Sequence, residues 1–165
     1  MSQTHTTDVI IIGAGPVGLF AVFELGLLKM RAHLIDVLDK PGGQCAELYP
    51  GKPIYDIPGI PEITGNELTQ GLLKQHAPFA PTFHLNQTVT ELESLSDDPS
   101  QPRWRVTTSE GTSIEAPVIF IAAGNGVFTP RKLDKPGAAQ LEGTRRHYAV
   151  RDRKMFEGKK LLLVS

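Results

Sequence analysis

The sequence is poor in cysteine, in tryptophan and in net charge. Its 165 residues include one cysteine and one tryptophan, and 17 basic side chains nearly balance 18 acidic ones. A lone cysteine excludes a disulfide framework and any internal cysteine pair, which fits a reducing compartment, so we expect a cytoplasmic protein. A net charge of −1 gives no basic surface that would favour nucleic acid as a partner. The composition is that of a globular chain with enough residues for one domain with a core.

The most apolar segment is not continuous enough to predict a membrane span. Residues 9–28 are apolar apart from Glu24, but Gly13-Ala14-Gly15-Pro16 lies within them and would interrupt a helix. The first eight residues contain no Lys or Arg, which argues against a secretory signal. We therefore expect a strand, a tight turn and a helix here, and no membrane partner.

The chain begins with the pattern of a βαβ unit. Residues 8–12 (DVIII) and 32–37 (AHLIDV) read as buried strands, and residues 16–28 between them read as a helix. This spacing predicts two parallel strands joined by a crossover helix. Further along, Thr64-Gly65-Asn66-Glu67 has the form of a capping box and predicts a helix that continues to about Phe79.

The second half of the chain predicts mostly strands. A small antiparallel sheet returning to the main parallel sheet would account for four strands, at residues 87–95, 104–109, 113–116 and 118–123. Residues 130–158 are polar and irregular, and residues 159–165 (KKLLLVS) read as the start of another buried strand. We expect an α/β fold of Rossmann type and interpret the chain as the N-terminal piece of a longer polypeptide.

A phosphate-binding motif joins the first strand to the first helix. Gly13, Ala14, Gly15, Pro16, Val17 and Gly18 form G-x-G-x-x-G. Glycines in this pattern permit a tight turn, close approach of a pyrophosphate to the backbone, and close packing of helix on strand. Asp36 ends the second strand, where a carboxylate is placed to accept hydrogen bonds from a ribose hydroxyl.

Two alternatives remain for these residues at this point. The glycine turn could hold no ligand, and Asp36 could be a solvated strand end. Because a carboxylate at Asp36 disfavours a 2′-phosphate, the predicted nucleotide is NAD or FAD and not NADP.

A second set of motifs gives a resemblance to a known family. The strand VIFIAAGN, residues 118–125, resembles the second signature of two-dinucleotide flavoproteins, in which it passes close to FAD. The combination of LYPGKPIYDIPGIP with VIFIAAGNGVFTPRKL and LIDVLDKPGGQ resembles the thioredoxin-reductase-like ferredoxin–NADP reductases. The resemblance runs in order through all 165 residues.

The resemblance implies FAD as the cofactor and adds four residues to the site. It places Gln44 and Tyr49 along the flavin, with the Tyr49 ring stacked on the isoalloxazine, and it places Val89 and Phe128 in contact with FAD. Without the family, Tyr49 would be read as a surface-loop residue. Tyr55 is expected to be structural.

The resemblance also implies a reaction. In the ferredoxin-dependent branch, NADPH gives a hydride to FAD, and single electrons then pass to ferredoxin or flavodoxin. Thioredoxin reductases use a Cys-x-x-Cys pair instead, and the equivalent residues 147–152 (HYAVRD) contain no cysteine. We expect Cys45 to be a buried small hydrophobe and the five histidines to be surface or structural residues without metal-ligand spacing.

Alternatives to this enzyme are a thioredoxin-reductase-like protein without its own cysteine pair, a non-catalytic FAD-binding module, and an NAD-binding dehydrogenase domain. Under the preferred reading, residues 1–128 are the FAD-binding part and residues 129–158 a connection. Residues 159–165 would begin an NADPH-binding domain, so most of the NADPH site would lie outside the chain. The family also implies a homodimer.

Overall fold

A computed structural model describes residues 4–126, 132, 134–148, 150 and 153–163. The chain divides into two compact units, Met1–Val127 and Phe128–Ser165. The first unit contains all the strands and α-helices found among the described residues.

The described residues of this unit form ten strands and three α-helices. The strands are β1 Thr4–Thr6, β2 Val9–Ile12, β3 Ala32–Ile35, β4 Pro53–Ile54, β5 Ile63–Thr64, β6 Thr82–His84, β7 Val89–Ser94, β8 Trp104–Thr108, β9 Ser113–Ala116 and β10 Val118–Ile121. The helices are α1 Pro16–Leu27, α2 Gly43–Glu47 and α3 Gly65–His76.

A four-stranded parallel sheet carries the predicted βαβ unit. Its strand order is β10-β2-β3-β6, and Val9 pairs with Ala32 on one side of β2 and with Val118 on the other. Alternate residues of β2 face opposite sides, as the strand period of two requires. Both sides are buried, which explains why this strand reads as a continuous apolar run.

A second four-stranded sheet has the order β1-β9-β8-β7. Strands β7, β8 and β9 are antiparallel, as the sequence predicted, whereas β1 pairs with β9 in parallel, Thr4 beside Ser113. A three-residue polar strand such as β1 has too little pattern to be recognised in the sequence.

Two apolar clusters give the unit three layers. In the first, α1 contributes Leu19, Val22 and Leu25 against one side of the parallel sheet, where Leu72 and Leu73 of α3 also pack. In the second, Ile10 and Ile35 on the other side meet Val106, Ile114 and Ala116 of the second sheet. The parallel sheet is therefore the middle layer between helices and the second sheet.

The glycine- and proline-rich segment after β3 contains short elements that no motif predicted. Within residues 41–61 lie α2 and the two-residue strand β4. Strand β4 pairs with β5 just before α3 begins. These elements are too short to show apolar periodicity, and tertiary contacts stabilise them instead.

The helix α3 begins as its capping box predicts. The Thr64 hydroxyl accepts a hydrogen bond from the Glu67 backbone N–H at 3.2 Å, and the Glu67 carboxylate accepts from the Thr64 N–H at 2.9 Å. A 3-10 turn at Ala77–Phe79 follows α3 and extends the helical segment to the predicted end.

The described residues of the second unit contain two 3-10 turns, Ala139–Leu141 and Arg153–Phe156. Glu142 accepts hydrogen bonds from Lys132 at 2.9 Å and from Arg146 at 3.4 Å. Residues 159–163 form no strand here, and Leu162 and Leu163 are exposed. That this segment begins an NADPH-binding domain stays a prediction.

No helix within the described residues combines the length and apolar character needed to cross a membrane.

Candidate dinucleotide site

The order of the parallel strands creates a topological switch point at their carboxyl ends. From β2 the chain proceeds through α1 to β3 on one side, whereas β10 lies on the other side of β2. The connections therefore diverge at the end of β2, and ligands of open α/β sheets bind at such switch points. The phosphate loop, residues 13–18, begins at this position.

Close backbone packing explains the first and last glycines of the loop. Gly13 has φ +110° and donates a hydrogen bond from its N–H to the Ile35 carbonyl at 2.8 Å. A Cβ atom on Gly13 would overlap the carbonyl of Ala122, the residue that follows β10. A Cβ on Gly18 would overlap the carbonyl of Gly13. No larger residue fits at either position without moving backbone.

The start of α1 is suited to an anion. Gly15 is the N-cap and Pro16 the first helical residue, and neither a side-chain cap nor an acidic residue is present in the first turn. The first N–H groups of a helix have no partner within the helix, and the helix dipole places positive charge there. A pyrophosphate is the expected ligand of such a helix start when it follows a glycine loop.

Gly42 and Gly43, which follow β3, pack closely against the phosphate loop. The Gly42 N–H donates to the Ala14 carbonyl at 2.8 Å. Gly43 has φ +56°, and a Cβ on it would lie 2.8 Å from the Cα of Gly15. Both glycines lie within the LIDVLDKPGGQ motif, which predicts no role for them. Their signal was the Gly-Gly doublet after the second strand.

Gln44 follows this glycine pair, and its side chain extends toward the segment after β10. It is the second residue of α2, and its Nε2 atom lies 3.4 Å from the place a Cβ on Gly124 would occupy. Gly124 belongs to the Ala-Ala-Gly segment after β10. The Gln44 side chain thus lies close to the Ala-Ala-Gly segment, which the family resemblance places near FAD.

Asp36 is buried and held by backbone, with 9% of its surface exposed. Its Oδ2 atom accepts a hydrogen bond from the Ala14 N–H at 2.6 Å, and Oδ1 accepts from the Leu38 N–H at 2.9 Å. The alternative of a solvated strand end is therefore wrong. That the carboxylate binds ribose stays a prediction.

Tyr49 lies two residues beyond α2 and is half-buried. Its carbonyl accepts a hydrogen bond from the Lys52 N–H at 3.1 Å, and the Lys52 ammonium lies 5.8 Å from the ring centroid. Burial, followed by the charges and hydrogen bond of neighbouring Cys45, raises the pKa of the Tyr49 hydroxyl. The phenol is therefore neutral at physiological pH.

Val89 and Phe128 lie apart from the phosphate loop in the chain. Val89 begins β7 and packs against the core cluster between the two sheets. Two residues earlier, the Gln87 N–H donates to the Asp36 carbonyl at 3.0 Å, which ties this segment to the end of β3. Phe128 lies outside the described residues.

A cluster of three histidines connects β1, β3 and β6. His33 Nδ1 and His84 Nε2 are 3.0 Å apart, and the His5 ring centroid lies 5.7 Å and 5.2 Å from those of His33 and His84. Among the described residues, no group of three His, Cys, Asp or Glu is arranged to hold a metal ion. Cys45 is buried and free, and burial raises the pKa of its thiol.

Comparison with known proteins supports the resemblance seen in the motifs. The chain is 56% identical over 161 residues to a ferredoxin–NADP reductase of Parvibaculum lavamentivorans, covering 98% of this chain and 46% of that protein. It is 56% identical over 165 residues to one from a Bradyrhizobium species, covering 100% of this chain and 47% of the relative.

The chain is similar to ferredoxin–NADP reductases over its whole length. It spans about half the length of the curated relatives it matches. No protein-family model matches the chain.

Solved structures confirm the fold class. Thioredoxin reductase from Streptococcus pyogenes matches with a TM-score of 0.61 at 25% identity, covering 84% of this chain and 41% of that one. Thioredoxin reductase from Lactococcus lactis matches with a TM-score of 0.59 at 26% identity, covering 82% of this chain and 40% of that one. The predicted Rossmann-like fold of the thioredoxin reductase type is thus confirmed.

Proposed function

We propose that this chain is the FAD-binding part of a ferredoxin–NADP reductase. The observation that carries the proposal is the glycine-lined phosphate loop at the switch point of the parallel sheet, in a chain 56% identical throughout to reductases of that name. Under this proposal the protein is a flavoprotein oxidoreductase that transfers electrons between NADPH and ferredoxin or flavodoxin.

The residues present fit FAD. Gly13 and Gly43 pack against neighbouring backbone so closely that a Cβ on either would overlap it, and the uncapped start of α1 offers N–H groups to a diphosphate. Ala14, Pro16 and Gly18 complete this part of the proposed site. Asp36, which directly follows β3, is proposed to contact the ribose.

The flavin end of the site rests on the resemblance. Gln44, Tyr49, Val89 and Phe128 are proposed to contact the flavin, with the Tyr49 ring stacked on it. Two flat aromatic systems in offset contact attract each other beyond the effect of buried area. The backbone contacts of Tyr49 would hold its ring in place and so lower the entropic cost of binding.

A substitution at Tyr49 tests this placement. Changing Tyr49→Ala in the FAD-loaded parent protein is expected to shift the flavin absorbance bands and the reduction potential, because the stacked ring changes the environment of the isoalloxazine. Tyr55→Ala is the matched control, since Tyr55 is 65% exposed and is not placed in the site. Identical spectra for wild type and Tyr49→Ala would show that the ring does not touch the flavin.

FAD, when bound, supplies the chemistry of accepting a hydride as an electron pair and passing electrons on singly. One NADPH would therefore reduce two one-electron acceptors and leave NADP⁺ and one proton. The residues of this chain hold the cofactor and shape its surroundings, and none of them is proposed as a general acid or base. Because residues 147–152 contain no cysteine, no dithiol is available there to divert electrons to thioredoxin.

The domain arrangement is part of the proposal. Residues 1–128 would be the FAD-binding part, residues 129–158 a connection, and residues 159–165 the first strand of an NADPH-binding domain. The boundary of the first compact unit at Val127 supports the first division. A cytoplasmic homodimer is the proposed form of the longer parent protein.

Colour and turnover test the function. The purified chain or its parent should be yellow and should release FAD on denaturation, whereas bound NAD or an empty site would contradict the proposal. The parent should then oxidise NADPH when ferredoxin or flavodoxin is added. Oxidation with thioredoxin alone would contradict the reaction, and FAD binding without any NADPH oxidation would favour a non-catalytic module.

A further inference from the structure

We infer that Asp36 is a positioning residue that holds the phosphate loop in its binding conformation before any nucleotide arrives. The inference rests on the proposed function and deepens it. A carboxylate at this place in the fold would otherwise be assigned a direct contact with ribose. The contacts of Asp36 within the chain point to an additional, separable role.

Both carboxylate oxygens of Asp36 accept hydrogen bonds from backbone. Oδ2 receives the Ala14 N–H at 2.6 Å, and Oδ1 receives the Leu38 N–H at 2.9 Å. The bond to Ala14 is buried and connects positions in two different loops. Charge-assisted bonds of this length are among the stronger ones in proteins.

The backbone of Asp36 is fixed as firmly as its side chain. Its N–H donates to the His84 carbonyl at 3.0 Å, and its carbonyl accepts from the Gln87 N–H at 3.0 Å. The residue is therefore attached to the segment after β6 on one side and to the phosphate loop on the other. With 9% of its surface exposed, it has little freedom to reorient when a ligand binds.

Both backbone polar groups of Ala14 are consequently held by hydrogen bonds. Its N–H donates to Asp36, and its carbonyl accepts from the Gly42 N–H at 2.8 Å. Ala14 lies between Gly13 and Gly15, which are flexible in an unfolded chain and costly to order. Fixing it in advance removes that cost from ligand binding, which is how preorganisation raises affinity.

Amide exchange in the ligand-free protein tests the hydrogen bond from Ala14 to Asp36. Asp36→Asn keeps the size of the side chain but presents an amide N–H₂ where one of the two acceptors stood. We expect hydrogen–deuterium exchange at the Ala14 amide to become about tenfold faster or more, because losing a hydrogen bond to a charged group changes the opening equilibrium by at least that factor.

Asp8→Asn is the matched control for this experiment. The Asp8 carboxylate accepts from the Arg31 N–H at 2.7 Å, in the segment before β3 and away from the phosphate loop. The Ala14 amide should stay protected in that variant. Unchanged protection of Ala14 in Asp36→Asn would overturn the inference.

Ligand analogues separate positioning from ribose contact. Affinities for ADP and for 2′,3′-dideoxy-ADP are measured by calorimetry with wild type and Asp36→Asn. If Asp36 positions the loop, Asp36→Asn weakens the dideoxy analogue as well, by an expected factor of about ten or more, and a contact with the ribose hydroxyls adds a further loss for ADP. A residue that acts only through ribose hydroxyls weakens ADP alone, and that result would overturn the inference.

A second variant covers the case in which Asp36→Asn does not fold. Asp36→Glu keeps the charge and shifts the carboxylate by one methylene. If the Ala14 amide stays protected from exchange in this variant, affinity for the dideoxy analogue should be unchanged. If the protection is lost, that affinity should fall as well. Lost protection with unchanged affinity would contradict the inference.

Binding of FAD and ADP by the wild-type protein distinguishes a failure of the proposed function from a failure of the positioning role of Asp36. Wild type that binds neither FAD nor ADP would count against the proposed function. Wild type that binds both, combined with an Ala14 amide indifferent to Asp36→Asn, would count against the positioning role alone.

Discussion

The carboxyl edge of the parallel sheet and the outer part of the antiparallel sheet are held together in different ways. At the carboxyl edge, Gly13, Ala14 and Gly42 make contacts through backbone atoms in closely packed loops. On the antiparallel sheet, Glu115 accepts hydrogen bonds from the guanidinium groups of Arg103 and Arg105, at distances down to 2.7 Å. One region depends on the absence of side chains and the other on their presence.

The comparison indicates which region tolerates change. A side chain added to a closely packed backbone has to displace peptide groups, which are already fixed by their hydrogen bonds. A surface ion pair can be replaced by water at little cost in free energy, because both partners are solvated when separated. The proposed cofactor site should therefore be the most sensitive part of the described chain and the outer sheet the least.

The largest effect is expected from an alanine in the phosphate loop. Gly13→Ala has to adopt φ +110° and to overlap the Ala122 carbonyl, so we expect a loss of roughly 3 kcal/mol or more in the free energy of unfolding, together with loss of retained FAD. Thermal unfolding and flavin content after dialysis measure both.

Gly111→Ala is the control for backbone strain alone. Gly111 lies in the turn between β8 and β9 at φ +74°, and a Cβ there meets no atom within 4 Å. We expect a cost of about 1 kcal/mol, which is the ordinary penalty for a non-glycine residue in this conformation. Equal losses of unfolding free energy in Gly13→Ala and Gly111→Ala would show that close backbone packing does not make the phosphate loop more sensitive than the turn of the outer sheet.

The histidine cluster between the two sheets should make stability depend on pH. The pKa of His33 is lowered from 6.5 to about 4 by burial first, and then by His84, His5 and Arg31. Between these values the unfolded chain binds a proton that the folded protein excludes. The free energy of unfolding is therefore highest above pH 6.5 and falls as the pH decreases toward about 4.

Urea unfolding at a series of pH values measures this dependence. His84 and His76, whose pKa values are also lowered by burial, contribute with the same sign. His33→Gln should flatten the curve, whereas His147→Gln, outside the cluster and in the second unit, should leave its shape unchanged. A curve that stays equally steep in His33→Gln would contradict the assignment to this cluster.

A smaller effect is expected at the start of α3. Thr64→Ala removes the hydroxyl that accepts from the Glu67 N–H, and we expect a loss of about 1 kcal/mol. Thr64→Ser keeps the hydroxyl and should retain most of the stability. Chemical denaturation compares the three proteins, and equal stability of Thr64→Ala and wild type would show that the cap contributes nothing.

The smallest effect is expected on the outer sheet. Hydrogen bonds from Arg105 first, and then from Arg103, lower the pKa of Glu115, whose side chain is 14% exposed, while those of Arg103 and Arg105 are 46% and 38% exposed. Glu115→Gln keeps a carbonyl acceptor beside two solvated guanidinium groups, so it should cost about 1 kcal/mol, and less at high salt. A loss as large as that of Gly13→Ala would reverse the ranking of the two regions.

The elements that the sequence predicted well have strong local signals. The strand at Val9–Ile12 is a continuous apolar run, the helix at Pro16–Leu27 follows a glycine loop, and the one at Gly65–His76 follows a capping box. The helix at Gly43–Glu47 and the strands at Thr4–Thr6 and Thr82–His84 were missed. Each is five residues or fewer, which is too short for a periodic pattern to develop.

The features of the candidate site also divide into those that a local motif predicts and those that depend on tertiary contacts. The phosphate loop, the acid at Asp36 and the Ala-Ala-Gly segment could all be found because each is a local motif. The approach of Gly43 to Gly15 and the bond from Ala14 to Asp36 could not, because both join residues far apart in sequence.

The sequence by itself determined the order of strand, glycine loop, helix and strand, since local sterics and apolar pattern specify each of them. It also determined the resemblance to ferredoxin–NADP reductases, through motifs spread along the chain. Only the tertiary structure decided that Asp36 is buried against the phosphate loop and that His5, His33 and His84 meet between the sheets. Such contacts depend on strand order and register, which are fixed when the layers pack and not by any one segment.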